Sequence, residues 1–128
     1  MATNSAARPT ILVVEDNEVS RNLLEAYLSG QYDVITASNG LEAMDIIDEK
    51  REELSLMLLD IVMPNVNGFE ILEDMNENGW IEFLPVVIVS SEGSEEFKKR
   101  AYLNNVYDFI TKPFTYEEVM ACVKRIVS

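Results

Sequence analysis

The sequence contains one cysteine and no long apolar run. A single cysteine, Cys122, excludes an internal disulfide, which is typical of a reducing cytosol, and we expect its side chain on the inward face of the last helix. The apolar runs are far shorter than the roughly 20 residues of a membrane span. Residues 1–7 are too polar for an apolar targeting core. We therefore expect a cytoplasmic protein that makes no membrane contact.

Basic residues are also scarce. The chain has 10 lysines and arginines against 23 aspartates and glutamates, which gives a formal net charge of −13. Phosphate backbones repel such a surface, so we expect no direct binding to nucleic acid. The charge is compatible with a soluble signalling module, a cation site or a basic partner.

At 128 residues the chain is long enough for one domain that buries a core without disulfides or metal. We expect a flexible tail over residues 1–7 and a domain over residues 8–128, complete where the fifth predicted helix ends. Five short, continuous apolar runs alternate with helical segments, which predicts an α/β fold with right-handed crossovers and a parallel sheet covered on both faces. The predicted strands are 10–14, 32–37, 56–59, 86–89 and 106–110.

Capping patterns predict where the helices begin and end. A capping box begins the last predicted helix, and close relatives of it begin the second and third. Glycines stand where the first and third helices should end. The residues concerned are Thr115 with Glu118, Asn39 with Glu42, Asn67 with Glu70, Gly30 and Gly79.

Apolar side chains predict which helix faces are buried. Val19, Leu23 and Leu24 belong to one apolar stripe on the first helix, which we expect to face the core. We expect Trp80 and Phe83 to anchor the loop before the fourth strand.

Polar side chains follow four of the predicted strands. Glu15 and Asp16 follow the first, Asp60 the third, Ser90 the fourth and Lys112 the fifth. In a parallel sheet these ends meet at one edge, where ligands bind in open α/β folds. Clustered carboxylates repel unless a cation intervenes, and Mg²⁺ leaves room for a phosphoryl group. An ammonium and a hydroxyl would complete a phosphoryl-transfer site in which Asp60 is the acceptor.

These residues resemble the motifs of response-regulator receiver domains of two-component signalling. The pattern is an acidic pair after strand one, an aspartate followed by x-x-Met-Pro after strand three, Ser or Thr after strand four, and Lys-Pro-Phe after strand five. Together the four motifs are highly specific, and the resemblance covers residues 8–127. They read here as Glu15-Asp16, Asp60-Ile61-Val62-Met63-Pro64, Ser90 and Lys112-Pro113-Phe114.

The resemblance implies a flavodoxin-like three-layer sandwich of five βα units with strand order 2-1-3-4-5, for which a receiver protein is a standard example. It implies phosphorylation of Asp60 by a sensor histidine kinase or a histidine phosphotransfer protein, with Mg²⁺ as cofactor. The signal would change the face formed by helix 4, strand 5 and helix 5, and so control a partner, an output domain or a homodimer. Basic residues gather on helices 4 and 5, either as a patch for such a partner or as ordinary solvated faces.

The resemblance also implies a role for each site residue. Asp16 and Asp60 would be direct metal ligands with the backbone carbonyl of Val62 as a third. Glu15 would act through a bound water, because its extra methylene changes its reach relative to the common aspartate. Lys112 would hold the phosphoryl group.

Two residues would transmit the signal. Ser90 would contact the phosphoryl group and move on activation, although it can also be an ordinary turn residue with Ser91 taking the contact. Phe109 occupies the aromatic switch position, although it can also be simply part of the core.

Three departures from the family pattern bear on the site. Ser91 stands where alanine or glycine is usual, but it is small enough to leave access for a phosphoryl group. Asn104 lies where glycine is usual and can take a left-handed cap conformation at some cost. Val62, beside Asp60, is apolar. Our hypothesis is that its side chain restricts the attacking water and so lengthens the lifetime of the phosphorylated state.

Two other functional classes compete with a phosphoacceptor switch. A phosphatase or mutase with an aspartate nucleophile needs a second aspartate two residues later, where this chain has Val62. A docking module that lost the switch would not need the intact set of site residues, which is Asp16, Asp60, Ser90 and Lys112. The chain contains no histidine and so cannot itself be a phosphohistidine donor. We expect no enzyme activity beyond its own phosphorylation and dephosphorylation.

Overall fold

Five strands alternate with five α-helices in the computed structural model, which describes residues 8–63 and 67–127. The predicted tail over residues 1–7 and Pro64 of the Asp60 motif lie outside the described residues. Within those residues, no helix is long and apolar enough to cross a membrane. The strands are β1 Thr10–Val14, β2 Asp33–Ala37, β3 Leu54–Leu59, β4 Val86–Ser90 and β5 Asp108–Thr111, and the helices are α1 Glu18–Leu28, α2 Gly40–Lys50, α3 Gly68–Glu77, α4 Glu95–Leu103 and α5 Tyr116–Ile126.

The strands form one parallel sheet in the order β2-β1-β3-β4-β5, which confirms the predicted fold class and strand order. The central strands are buried on both faces, as their continuous apolar runs predicted. This order sets β1 beside β3, so the residues that follow Val14 and Leu59 emerge next to each other.

Side chains on alternate positions of the strands enter two separate core layers. One layer packs the sheet against α2, α3 and α4, and includes Leu12, Leu59 and Ile88. The other packs it against α1 and α5, and includes Leu24 and Val123. Each layer is a contact between apolar side chains that fixes its helices on the sheet, and this holds the strand ends in register.

Helix caps largely agree with the sequence patterns. Thr115 and Glu118 form a full capping box at α5, with each side chain accepting from the other residue's backbone N–H. Asn39 caps α2 by accepting from the N–H of Glu42, but the Glu42 carboxylate accepts from Ser38 rather than from Asn39. Asn39 therefore caps α2, but the reciprocal bond of a full capping box, from the Asn39 N–H to the Glu42 carboxylate, is replaced by the bond from Ser38.

The predicted core face of α1 was partly wrong. Leu24 is buried, but Val19 is 75% exposed and Leu23 is 38% exposed. The expectation for Phe83 was also wrong, because this side chain is 74% exposed rather than anchored. Val106 is buried but precedes β5, which begins two residues later than predicted. Apolar character alone did not separate inward-facing residues from apolar surface.

Left-handed backbone occurs at two turns after helices. Gly79, after α3, has φ +73°, as expected for a glycine that ends a helix. Gly30 does not adopt a positive φ, so α1 ends without that conformation. After α4 the left-handed residue is Asn105, with φ 67°, and not Asn104 as predicted. Asn105 is stabilised there by donating from its side-chain amide to Asn76 Oδ1 at 2.7 Å.

Cys122 lies on the inward face of α5, as predicted, and is 4% exposed. Burial, with the nearby charge of Asp108, raises the pKa of its thiol to about 11. The thiol is therefore protonated at neutral pH and packs as a small apolar group.

Gly68, the first residue of α3, passes close under the end of β3. A Cβ on this residue would lie 2.6 Å from the Cα of Ile61 and 3.2 Å from the carbonyl oxygen of Asp60. Its N–H donates to the carbonyl of Ile61 at 2.8 Å. Only glycine allows this approach, so the start of α3 positions the segment that carries Asp60.

We expect Gly68→Ala to lower the free energy of unfolding by about 1–3 kcal/mol, because backbone must move to admit the methyl group. Gly30→Ala is the matched control, since no atom lies within 4 Å of its Cβ position and its φ is not positive. It should be neutral or stabilising by up to about 1 kcal/mol. Urea denaturation of both variants measures the difference, and equal stabilities would contradict the close contact.

Candidate functional site

The carboxyl ends of β1, β3 and β5 bring one charged cluster to a single edge of the sheet. Backbone bonds fix each position: Glu15 N–H donates to Ala37 at 3.0 Å, Asp60 N–H to Val14 at 2.9 Å, and Lys112 N–H to Ser90 at 2.8 Å. The side chains are therefore placed by the sheet rather than by a mobile loop.

Three carboxylates meet at this edge. Oxygen atoms of Glu15, Asp16 and Asp60 all lie within 4.8 Å of one another. Glu15 is 1% exposed and Asp60 is 6% exposed, while Asp16 faces solvent. Carboxylate oxygens are the ligands that Mg²⁺ prefers, and one open side leaves room for waters or a phosphoryl group.

The Lys112 ammonium bridges the two buried carboxylates. Its Nζ lies 2.5 Å from Glu15 Oε1 and 3.3 Å from Asp60 Oδ2. The contact to Glu15 is the shorter of the two and pairs an ammonium directly with a buried carboxylate oxygen. One ammonium does not neutralise the three carboxylates that meet here, and this excess of negative charge fits a divalent cation.

Burial and charge together shift the pKa values of this cluster. Burial raises the pKa of Glu15 to about 7, opposed by Lys112 and reinforced by the charge of Asp60. Burial alone would lower the pKa of Lys112, but its bond to Glu15 and the charge of Asp60 outweigh this and raise it. The ammonium therefore stays charged, and Glu15 is the group that titrates near neutrality.

Two contacts of the β1–α1 loop were not found from the sequence. The N–H of Asn17 donates to Glu15 Oε2 at 3.2 Å. The Arg21 guanidinium donates to the backbone carbonyls of Glu15 at 3.0 Å and Asp16 at 3.3 Å. Arg21 is a basic residue six positions after Glu15 and one turn into α1, and this spacing is the sequence feature from which its contacts could have been predicted. These contacts hold the acidic pair at the sheet edge.

Asp60 is oriented by its own loop. Its Oδ1 accepts from the N–H of Val62 at 3.1 Å, which leaves Oδ2 facing Lys112. The Val62 side chain is 60% exposed beside this carboxylate. Val62 is thus joined to Asp60 through its backbone N–H, and the predicted roles of its side chain and carbonyl stay predictions.

Ser90 ends β4 and is fully buried. Its hydroxyl oxygen accepts from the N–H of Glu92 at 3.2 Å. Ser91, the alternative contact, is exposed. The structure therefore places Ser90 at the same sheet edge as Asp60, with its hydroxyl proton free to donate elsewhere.

Phe109, in β5, is half-buried at the end of a row of aromatic rings. Its ring lies 6.0 Å from Phe97 edge-to-face, and Phe97 lies 5.4 Å from Phe69. Lys98 Nζ is 5.7 Å from the Phe109 ring, and the Arg100 guanidinium is 3.8 Å from the Phe69 ring. The row connects α3, α4 and β5 through apolar contact capped by cations.

Comparison with known proteins gives a family match and several similar proteins. The sequence matches the family model described as response regulator receiver domain over residues 11–124. It is 32% identical over 107 residues to a chemotaxis protein CheY homolog of Campylobacter jejuni, which covers 82% of each protein. It is 29% identical over 123 residues to hybrid signal transduction histidine kinase D of Dictyostelium discoideum.

The covered share differs among these relatives. The chain spans 8% of the length of the Dictyostelium kinase, and less than two thirds of several other curated relatives. Among solved structures, chemotaxis protein CheY4 of Vibrio cholerae superposes with a TM-score of 0.86 at 25% identity, covering 94% of this chain and 100% of that one. With the sheet order and the acidic strand ends described above, the chain belongs to the response regulator receiver domain family.

Proposed function

We propose that the chain is a phosphoacceptor switch of a two-component phosphorelay. Asp60 accepts a phosphoryl group from a phosphohistidine on a sensor histidine kinase or a histidine phosphotransfer protein. The observation that carries this proposal is the position of the Asp60 carboxylate, with one oxygen beside Lys112 and two further carboxylates within 4.8 Å. The chain acts on no external substrate and catalyses only its own phosphorylation and dephosphorylation.

The transfer is a displacement at phosphorus. An Asp60 oxygen forms the O–P bond as the P–N bond to the donor imidazole breaks, and the electron pair of that bond returns to the imidazole nitrogen. Lys112 neutralises charge on the transferred group from the side of Asp60 Oδ2. Ser90 donates its hydroxyl proton to another phosphoryl oxygen.

The carboxylate cluster fits a magnesium ion. Asp16, Asp60 and the carbonyl of Val62 would hold it directly, and Glu15 would act through a bound water. When bound, Mg²⁺ neutralises oxygens of the phosphoryl group during transfer. Asn17 and Arg21 support this arrangement by fixing the side chain and backbone of the acidic pair.

The phosphohistidine donor needs a surface beside Asp60. Val19 and Leu23 of α1 are exposed apolar residues, and Leu23 lines a shallow hollow of about 330 Å³. Its lining includes Lys112 and Phe114, so it adjoins the reactive edge. An exposed apolar patch at this place supports docking of the donor on α1.

The signal leaves through Ser90 and Phe109 to the surface of α4, β5 and α5. Phe109 packs against Phe97 of α4, so rotation of its ring would disturb the packing of that helix. Lys98 and Lys99 give this surface basic groups for a partner, an output domain or a second copy. Asp108 and Arg125 form an ion pair across it.

A phosphatase or mutase is disfavoured by the residue two positions after Asp60. Val62 is apolar and points to solvent, so it supplies no acid or base. A docking module without a switch is disfavoured by the close ion pairs of Lys112, since a buried charged cluster has a cost that a passive fold does not need.

Phosphorylation is tested directly with acetyl phosphate and Mg²⁺. We expect the native chain to gain the mass of one phosphoryl group, and Asp60→Asn to gain none, because the amide cannot form the acyl phosphate. Asp45→Asn, an exposed aspartate on α2, should label like the native chain. Failure of the native chain to label, or labelling of Asp60→Asn, would refute the proposal.

The lifetime of the phosphorylated state tests the role of Val62. Replacing it by asparagine should shorten the half-life several-fold, since a polar side chain can orient the attacking water that valine excludes. Leu103→Asn, at an exposed apolar residue that ends α4, should leave the half-life unchanged. Loss of labelled protein over time measures both, and an unchanged half-life in Val62→Asn would sink the idea.

Glu15 links stability to pH in Mg²⁺-free buffer. Its pKa is raised in the folded chain, so its stabilising contribution is full below pH about 4.5 and is lost as pH rises through about 7. We expect Glu15→Gln to raise the free energy of unfolding at pH 8 by on the order of 1–3 kcal/mol, and to flatten this pH dependence.

The same variant should bind Mg²⁺ about tenfold more weakly, because it loses a charge that supports the metal ligands. Asp16→Asn is the matched control: its carboxylate is exposed, so it should weaken Mg²⁺ binding without the gain in stability. Urea denaturation and magnesium titration separate the two effects. If Glu15→Gln were no more stable than the native chain at pH 8, the buried charge would not be the cause.

A further inference from the structure

A second concave surface lies at the opposite edge of the sheet, near the amino ends of β3 and β4. It encloses about 310 Å³ and is lined by Arg51, Glu52, Trp80, Phe83 and Leu84. We call these five residues the aromatic groove. Leu84 is buried, Trp80 is half-buried, and Phe83 is 74% exposed. The groove therefore has an apolar floor and an aromatic side chain that nothing in the described chain covers.

The wall of the groove is held in place. The Arg51 guanidinium lies 4.6 Å from the centre of the Trp80 ring, in cation–π contact. The same guanidinium donates to the backbone carbonyl of Asp48 at 2.8 Å and lies 3.7 Å from its carboxylate. The charge of Arg51 is thus matched by Asp48. The aliphatic part of the Arg51 side chain and the Trp80 ring together form a preorganised surface.

The rim of the groove is acidic. Glu52 lines it, Glu82 immediately precedes Phe83, and both are exposed. An adjoining hollow shares Arg51 and Glu52, and it adds Glu49 and Glu53 against Lys50. With Arg51 matched by Asp48, acidic groups outnumber basic ones around the apolar floor. A partner that fills the groove must therefore offer an apolar side chain flanked by positive charge.

We propose that the aromatic groove binds a segment of a partner protein in which lysine or arginine flanks a large apolar side chain. The apolar side chain occupies the space between Trp80, Phe83 and Leu84. The basic groups pair with Glu52 and Glu82 at the rim. This surface is on the other edge of the sheet from Asp60, so it recruits a partner independently of the phosphoryl chemistry.

A second copy of this chain fits the groove less well than a basic segment. Each copy carries a net charge of −13, which opposes association at an already acidic rim. The chain does present Lys98, Lys99 and the exposed Leu103 on α4, so self-association through that helix is a distinct outcome that the test must separate.

Trp80 is the only tryptophan of the chain, so its fluorescence reports on the groove alone. The probe is a short, tryptophan-free peptide of alternating lysine and leucine, added to the full chain. A counterpart peptide with glutamate in place of lysine tests the sign of the charge. We expect a saturable change in Trp80 emission with the lysine peptide and none with the glutamate peptide. Raising NaCl from about 0.05 M to about 0.5 M should weaken the binding.

Three variants separate the groove from the overall charge. Phe83→Ser removes the exposed ring and should weaken binding at least about tenfold. Glu52→Lys reverses a rim charge and should weaken it about fivefold. Glu117→Lys makes the same change in net charge on α5, across the sheet, and should alter the affinity less than about twofold. Circular dichroism checks that all three retain the fold.

Each outcome of the peptide titrations either supports or overturns the proposal. A saturable response that Phe83→Ser and Glu52→Lys weaken, and Glu117→Lys does not, supports the proposal. Equal effects of Glu52→Lys and Glu117→Lys would mean that the peptide follows net charge alone and would overturn it. No saturable response would overturn it as well. Sedimentation velocity completes the test, because self-association of the native chain that Phe83→Ser abolishes would assign the groove to a second copy instead.

Discussion

The Lys112 ammonium between Glu15 and Asp60 is the interaction on which the site depends. Two carboxylates buried at one sheet edge repel, and burial leaves each of them with little solvation. Glu15 and Asp60 are forced together because β1 and β3 are neighbours, whereas Lys112 follows β5, two strands from β3. Strands lie about 4.8 Å apart, so only a long side chain can cross that interval. Lysine supplies the length and a compact charge together.

The sequence predicted the sheet and its charged edge well because both depend on local patterns. Continuous apolar runs mark strands that are buried on both faces, and a charged residue that ends such a run is costly unless it has a function. Asp60 after Leu59 is the clearest example, and the positions of Glu15, Asp16 and Asp60 within 4.8 Å followed from strand order. The strand order itself came from the resemblance and not from the pattern.

What the sequence could not supply were contacts between distant residues and the choice among apolar faces. Val19 and Leu24 have similar hydropathy, but only Leu24 faces the sheet, because α1 lies across β1 with one narrow side inward. Gly68 carries no pattern that reveals its 2.6 Å approach to Ile61, which arises only when α3 docks under the end of β3. Phe83 was likewise expected to anchor the loop before β4, but its ring is exposed, because a local pattern does not show which loop side chains pack inward.

The sheet edge that carries Asp60 and the aromatic groove share one core layer. Trp80, Phe97 and Phe109 all pack against this layer. Shared packing is not coupling, because coupling requires an element with two arrangements that both sites bias. Phe109 is such an element if its ring rotates, but Trp80 is held by Arg51, which Asp48 fixes in turn. These contacts include none of the residues at the Asp60 edge, so the state of Asp60 does not bias them directly. We infer that the groove selects a partner while Asp60 sets the timing of the signal, with the two contributions additive in free energy.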